Sequence, residues 1–226
     1  MRAPSTSRVP LAPGQPPAPS EAATQRVGGF TGLPALIRQL GADPDLLLEG
    51  AGLAPGALES PEGRASYAAL GRLLRDAAAA TGCPHLGLLT GRMWHLADLG
   101  LLGELVRHSP TVGEALRTLT VHQHLNSEAG LAFLTERGGF VDLGFAIYHP
   151  GVPGADLHYD SVLAGGCNFV RELCGPGWAP SEVFLSRAQP ADVAPYRSAF
   201  KVTPRFDAEV CALRFPSRWM ALPVAG

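Results

Sequence analysis

Two hydrophobic periods divide this chain, and the change from one to the other falls close to Asn126. Upstream, apolar residues recur at helical spacing. Leu101, Leu102, Leu105 and Val106 make one face, and after a break at Ser109-Pro110-Thr111 a second set follows at Val112, Ala115, Leu116 and Leu119. Thr111 and Glu114 have the spacing of a capping box, in which the hydroxyl accepts from the Glu114 N–H and the carboxylate reaches back to the Thr111 N–H. Downstream, Leu131, Phe133 and Thr135 alternate with Ala132, Leu134 and Glu136. Gly138-Gly139 supplies a turn, and Val141, Leu143, Phe145 and Ile147 alternate on the return strand. A helical half must therefore meet a β-hairpin within one chain.

The flanking segments extend both halves. A short helix is expected over 33–40, and Asp43-Pro44 reads as N-cap plus first helical residue of a helix through Leu46, Leu47 and Leu48 to Gly52. The chain changes direction over 64–67 and enters a long helix with Leu70, Leu73, Leu74 and Ala77 inward and Arg72, Arg75 and Asp76 outward, ending at Thr81-Gly82. Past the hairpin, 155–174 reads as a helix with Tyr159, Val162, Leu163, Phe169, Val170 and Leu173 facing in. Its internal Gly165-Gly166 pair costs about 1 kcal/mol per glycine relative to alanine, which points to close backbone packing or a kink. A strand over 181–187, a helix over 191–200 led by Pro190, and strands over 204–206 and 209–215 complete the order β-β-α-β-α-β-β. The expected class is α+β: one antiparallel sheet with helices on one face and the N-terminal helical layer on the other.

Hydrophobic content of 46% against 17% charged residues is enough for a core. Residues 1–28, with six prolines among Ala, Ser and Gln, read as a disordered tail. The remaining 29–222 make one domain, helical over 29–126 and α/β over 127–222. No apolar run reaches membrane-spanning length and no signal-peptide core opens the chain, so a soluble cytoplasmic protein without membrane contact is expected. Net charge is −2, and no stretch gathers the basic stripe of a free-standing nucleic-acid binder. Cys83, Cys167, Cys174 and Cys211 show no CxxC spacing and read as reduced thiols used as small hydrophobes.

No G-x-S-x-G, phosphate loop or HExxH occurs, so neither an enzyme nor a cofactor is indicated. The polar residues worth weighing lie at element ends or beside the hairpin: His122, His124, Asn126, Tyr148, His149, Tyr159, Asp160 and Asn168, with His158 and Arg171 nearby. His122 and His124 diverge by about 200° on a helix, and no second pair has ligand spacing, so no metal site is expected. Two readings stay open for the set. They are singly satisfied polar groups, or they are neutral donors and acceptors lining a pocket for a small molecule.

Leu99-Gly100-Leu101-Leu102-Gly103 followed by Ser109-Pro110-Thr111-Val112-Gly113-Glu114-Ala115-Leu116 resembles the signature of the N-terminal effector domain in one large group of AraC-type bacterial transcription regulators, the arabinose-binding-like group. The likeness extends through 47–58, Cys83-Pro84-His85-Leu86-Gly87-Leu88, Arg171-Glu172-Leu173-Cys174-Gly175-Pro176-Gly177-Trp178, Pro195-Tyr196 and Cys211-Ala212-Leu213-Arg214-Phe215. It implies a regulatory domain that binds a small-molecule effector, forms a homodimer and controls a C-terminal DNA-binding domain of two helix-turn-helix units. That domain would follow Gly226 and is absent from this chain, so DNA contact is expected only through it. The alternative is a truncated interaction module that pairs with full-length regulators without a ligand. The resemblance transfers no ligand residue, and the helix over 155–174 is the expected dimer surface.

Overall fold

The computed structural model describes residues 23–225 of the chain. Its first half holds β1 (Thr24–Arg26), α1 (Leu33–Gln39), α2 (Pro44–Gly50), β2 (Arg64–Ser66), α3 (Tyr67–Thr81), α4 (Leu86–Arg92), α5 (Leu101–Arg107) and α6 (Val112–Val121). The second half holds β3 (Gly130–Arg137), β4 (Phe140–Ile147), α7 (Ala155–Cys174), β5 (Glu182–Phe184), α8 (Ala194–Phe200) and β6 (Cys211–Pro216). The class is α+β, with β1 and β2 in a small sheet and the main antiparallel sheet in the order β3-β4-β6-β5.

Local chemistry sets the element ends. Asp43 accepts from the Asp45 N–H at 2.9 Å and Pro44 opens α2, as the sequence indicates. At the corner into α6 the Thr111 hydroxyl accepts from the Glu114 N–H at 3.2 Å. The return arm of the box differs, because the Glu114 carboxylate lies 3.3 Å from the Thr111 hydroxyl instead of taking its backbone N–H. Gly138 and Gly139, at φ 61° and 79°, form the hairpin turn whose twist matches the flanking strands.

Three expectations change. Of the tail read over 1–28, residues 1–22 lie outside the described residues, but 24–26 form β1, paired Thr24↔Ser66, Gln25↔Ala65 and Arg26↔Arg64. A three-residue strand whose partner lies some forty residues on has no period to detect. The two last strands reduce to one. Residue 205 makes only a single bridge to Phe184, since Pro204 has no N–H and Asp207 turns to φ 54°. The N-terminal helices, finally, do not cover the second face of the sheet. Val141, Leu143, Phe145, Leu213 and Phe215 are buried on one face beneath α7, and α3 and α4 pack on α7 in turn. The opposite face carries Asp142 and Arg214 in a bidentate pair at 2.7 and 2.8 Å, with the guanidinium 4.8 Å from the Phe184 ring centre.

Among the described residues, α4 and α7 make the most extensive helix–helix contact. Methyl groups at Gly87 and Gly91 would stand 2.1 and 2.0 Å from the carbonyl oxygens of Leu157 and Ser161, so only glycine permits this approach. The Ser161 hydroxyl donates to the Gly87 carbonyl at 2.9 Å and closes the seam. Eleven α7 residues are buried, among them Leu157, Ser161, Leu163, Phe169 and Leu173. This helix is the centre of the domain, which overturns its expected role as the dimer surface. Cys83, Cys167 and Cys211 are buried and all four cysteines are free, with burial pushing the Cys167 thiol up to about 12.

Candidate ligand-binding site

Between α7 and the inner face of the sheet the packing leaves a cavity of about 60 Å³. Leu143, Phe145 and Leu213 form its floor, and Val162 and Phe169 of α7 form its roof. It exists because α7 has Gly166 at this point, where a methyl group would lie 3.4 Å from Leu213 Cδ1. The preceding glycine has a different task. A methyl at Gly165 would fall 2.4 Å from Cε3 of Trp94, whose indole forms one wall and packs edge-on to Phe30 at 5.4 Å.

The polar end is built from Gln25, Gln123 and Asn126. Gln25 rides on β1, which is pinned from both sides. The Arg26 N–H donates to the Asn126 carbonyl at 2.9 Å, and Glu128 accepts from the Thr24 N–H and hydroxyl at 2.9 and 2.8 Å. Gln123 lies in the one-turn 3₁₀ helix Gln123–Leu125 after α6, and its carbonyl accepts from the Ser127 N–H at 3.0 Å. Both glutamines are buried, yet among the described residues their side-chain amides have no hydrogen-bond partner. Their amide atoms are not sealed from water, so they are free to bond solvent or a ligand at the end of the apolar cavity.

The residues singled out in the sequence are not gathered in one place. Asn126 lines the cavity. Asn168 reaches it indirectly, its Nδ2 donating to the carbonyls of Arg92 and Trp94 at 3.0 and 3.1 Å, while its Oδ1 accepts from Arg171 at 3.1 Å. Tyr159 accepts from the Ile147 N–H at 3.1 Å and sets its ring edge against Phe145. His122 bonds the Thr118 carbonyl through Nδ1 at 3.0 Å, with the exposed His124 ring 6.3 Å away. Tyr148 is exposed, donates to the Glu128 carbonyl and stands beside His149 with ring centres 4.9 Å apart.

Asp160 and His158 occupy separate buried settings. Asp160 accepts from the Tyr196 hydroxyl at 2.7 Å and from Arg187, while burial pushes its carboxyl up to about 6 against the pull of that guanidinium. His158 stacks on Tyr67 at 4.4 Å with neither ring nitrogen bonded, and burial holds it down at about 4. Among the described residues no three His, Cys, Asp or Glu side chains group as metal ligands. No helix there is long and apolar enough to cross a membrane.

Sequence reasoning missed Gln25, Trp94 and Gln123. The glycine pair at 165–166 was the available signal. Gln123 sits between His122 and His124, and on a 3₁₀ turn it points inward while His124 points out.

Comparison with known proteins fixes the family. The model of the arabinose-binding N-terminal domain of AraC transcription regulators matches residues 41–224. The HTH-type transcriptional regulator VirS of Mycobacterium tuberculosis is 30% identical over 203 residues, covering 88% of this chain and 59% of that protein. The ornithine utilization regulator of Pseudomonas aeruginosa is 25% identical over 193 residues, covering 84% and 56%. This chain thus spans less than two thirds of the length of either. The crystal structure of the transcriptional regulator CdpR from Pseudomonas aeruginosa shares the fold at a TM-score of 0.60 and 18% identity, over 80% of this chain and 56% of that one. The relatives are transcription regulators, and the chain belongs to the arabinose-binding N-terminal domain family of AraC-type regulators.

Proposed function

We propose that this chain is the effector-binding and dimerisation domain of a cytoplasmic AraC-type regulator, and that a small molecule in the cavity beneath Gly166 controls an attached DNA-binding domain. The observation that carries the reading is the apolar cavity between helices and sheet, closed at one end by two amides without partners. Its walls belong to β1, α6, α7 and the main sheet, so an occupant touches α6, α7 and the sheet at once. Favouring one packing of α6 and α7 over another by about 1–3 kcal/mol is enough for a regulatory response. The net charge of −2 supports placing DNA contact on the attached domain.

A thermal-melt screen of small metabolites against this chain and its Gly166→Leu variant tests the reading. A true effector at a hundred times its Kd stabilises by about 2.7 kcal/mol, and the leucine side chain should abolish that gain. If no compound stabilises the chain, and heterodimers with a full-length regulator act on DNA regardless of any metabolite, the domain is instead a pairing module without a ligand. Sedimentation of the chain with and without ligand reads the dimer directly.

A further inference from the structure

Resting on the reading of this cavity as the effector site, we infer that it selects an uncharged, compact, largely apolar molecule with one hydrogen-bonding group, which Gln25 and Gln123 recognise. No side chain lining the cavity is ionisable as Asp, Glu, His, Lys or Arg. The nearest guanidinium in sequence, on Arg26, is already held by Glu62 and is not among the lining groups. A carboxylate or ammonium taken into this space would lose its water and meet no counter-charge, which apolar surroundings penalise heavily. A primary amide, by contrast, both donates and accepts, so the two glutamines answer a hydroxyl, carbonyl or carboxamide equally well. They enter from adjoining backbone, because Gln25 bridges Ser127 and the Ser127 N–H bonds the Gln123 carbonyl. The ligand's polar group therefore faces β1, and its apolar body runs toward Gly166 and Leu213 past Trp94 and Phe169. As it stands the space holds on the order of five non-hydrogen atoms, so a ring-sized occupant enters only as the surrounding side chains give way.

Four probes of one skeleton test this: toluene, 4-methylphenol, 4-methylbenzoate and 4-methylbenzylammonium, titrated calorimetrically into this chain at pH 7.5. The expected order places 4-methylphenol about tenfold tighter than toluene, as one hydrogen bond provides, and both ions at least about tenfold weaker than toluene. Gln25→Leu and Gln123→Leu should erase the advantage of the phenol while leaving toluene within about twofold. The comparison on the unaltered chain stands even where a variant folds poorly. If an ion binds as tightly as the phenol, and Gly166→Leu blocks it, the inferred ligand class is overturned and the cavity stays the site. If no probe binds, or Gly166→Leu leaves every affinity unchanged, the cavity reading falls and the inference falls with it.

Discussion

The neighbouring glycines of α7 give the sharpest test of how this domain is packed, because the same substitution should act in opposite directions one residue apart. In a helix interior, Gly→Ala gains about 1 kcal/mol of propensity at either position. At Gly166 the new methyl would meet the end of Leu213 at 3.4 Å, an ordinary contact, and would bury itself in empty apolar space. That adds on the order of 0.8 kcal/mol, for a total gain of about 1–2 kcal/mol. At Gly165 the methyl would lie 2.4 Å from Trp94 Cε3 and 3.0 Å from Cδ2, and a methyl at Gly29 would likewise come within 2.7 Å of that indole. The ring has little room to retreat, and overpacking of this kind costs about 1–3 kcal/mol or more, exceeding the propensity gain. Urea unfolding followed by tryptophan fluorescence should therefore separate Gly166→Ala from Gly165→Ala by about 3 kcal/mol at equal slope. For a domain of this size that is roughly 6–12 °C in Tm. Equal effects of the same sign, or a destabilised Gly166→Ala, would refute the placement of α7.

Other perturbations follow from named contacts. His158 has a folded pKa depressed to about 4, so unfolding takes up a proton between roughly 6.5 and 4, and its contribution to stability is lost as pH falls through that window. Asp160, raised to about 6, has the opposite sign: its folded form keeps a proton that the unfolded form has released, and stability falls as pH rises from about 4 to 6. His158→Phe should leave the Asp160 effect alone, making the variant gain on wild type by about 3 kcal/mol between pH 7 and 4 in urea titrations. Gly91→Ala, driving a methyl to 2.0 Å from the Ser161 carbonyl oxygen, should cost about 3 kcal/mol or more, because backbone cannot swing aside; circular dichroism melts will read it. Thr111→Ala removes the cap on α6 and should cost about 1 kcal/mol in the same assay.

Much of the fold was legible because it is locally encoded. The period change at Asn126, the Asp43-Pro44 helix start, the Gly138-Gly139 turn and the whole extent of α7 each rest on residues within a few positions of one another. What stayed hidden depends on partners distant in sequence. Gln25 is a cavity residue only because β1 finds β2 and Ser127. Trp94 is a wall only because Gly165 and Asn168 of α7 receive it. The polar residues at the element ends are distinguished in the sequence only by their type and position. Chemistry of that kind cannot tell Asp160, neutralised by Arg187 and Tyr196, from a residue open to a ligand. The more telling signal was an absent side chain, since a helix that tolerates the cost of Gly166 keeps space against the sheet.

Anomalous diffraction from crystals of the chain soaked in 4-iodophenol shows whether this space receives a small molecule. An iodine peak is expected between α7 and the sheet, near Gly166 and Leu213, with the phenol oxygen toward Gln25 and Gln123 and no peak there in Gly166→Leu crystals. Iodine bound only on the surface, or a peak that persists in the variant, would contradict it.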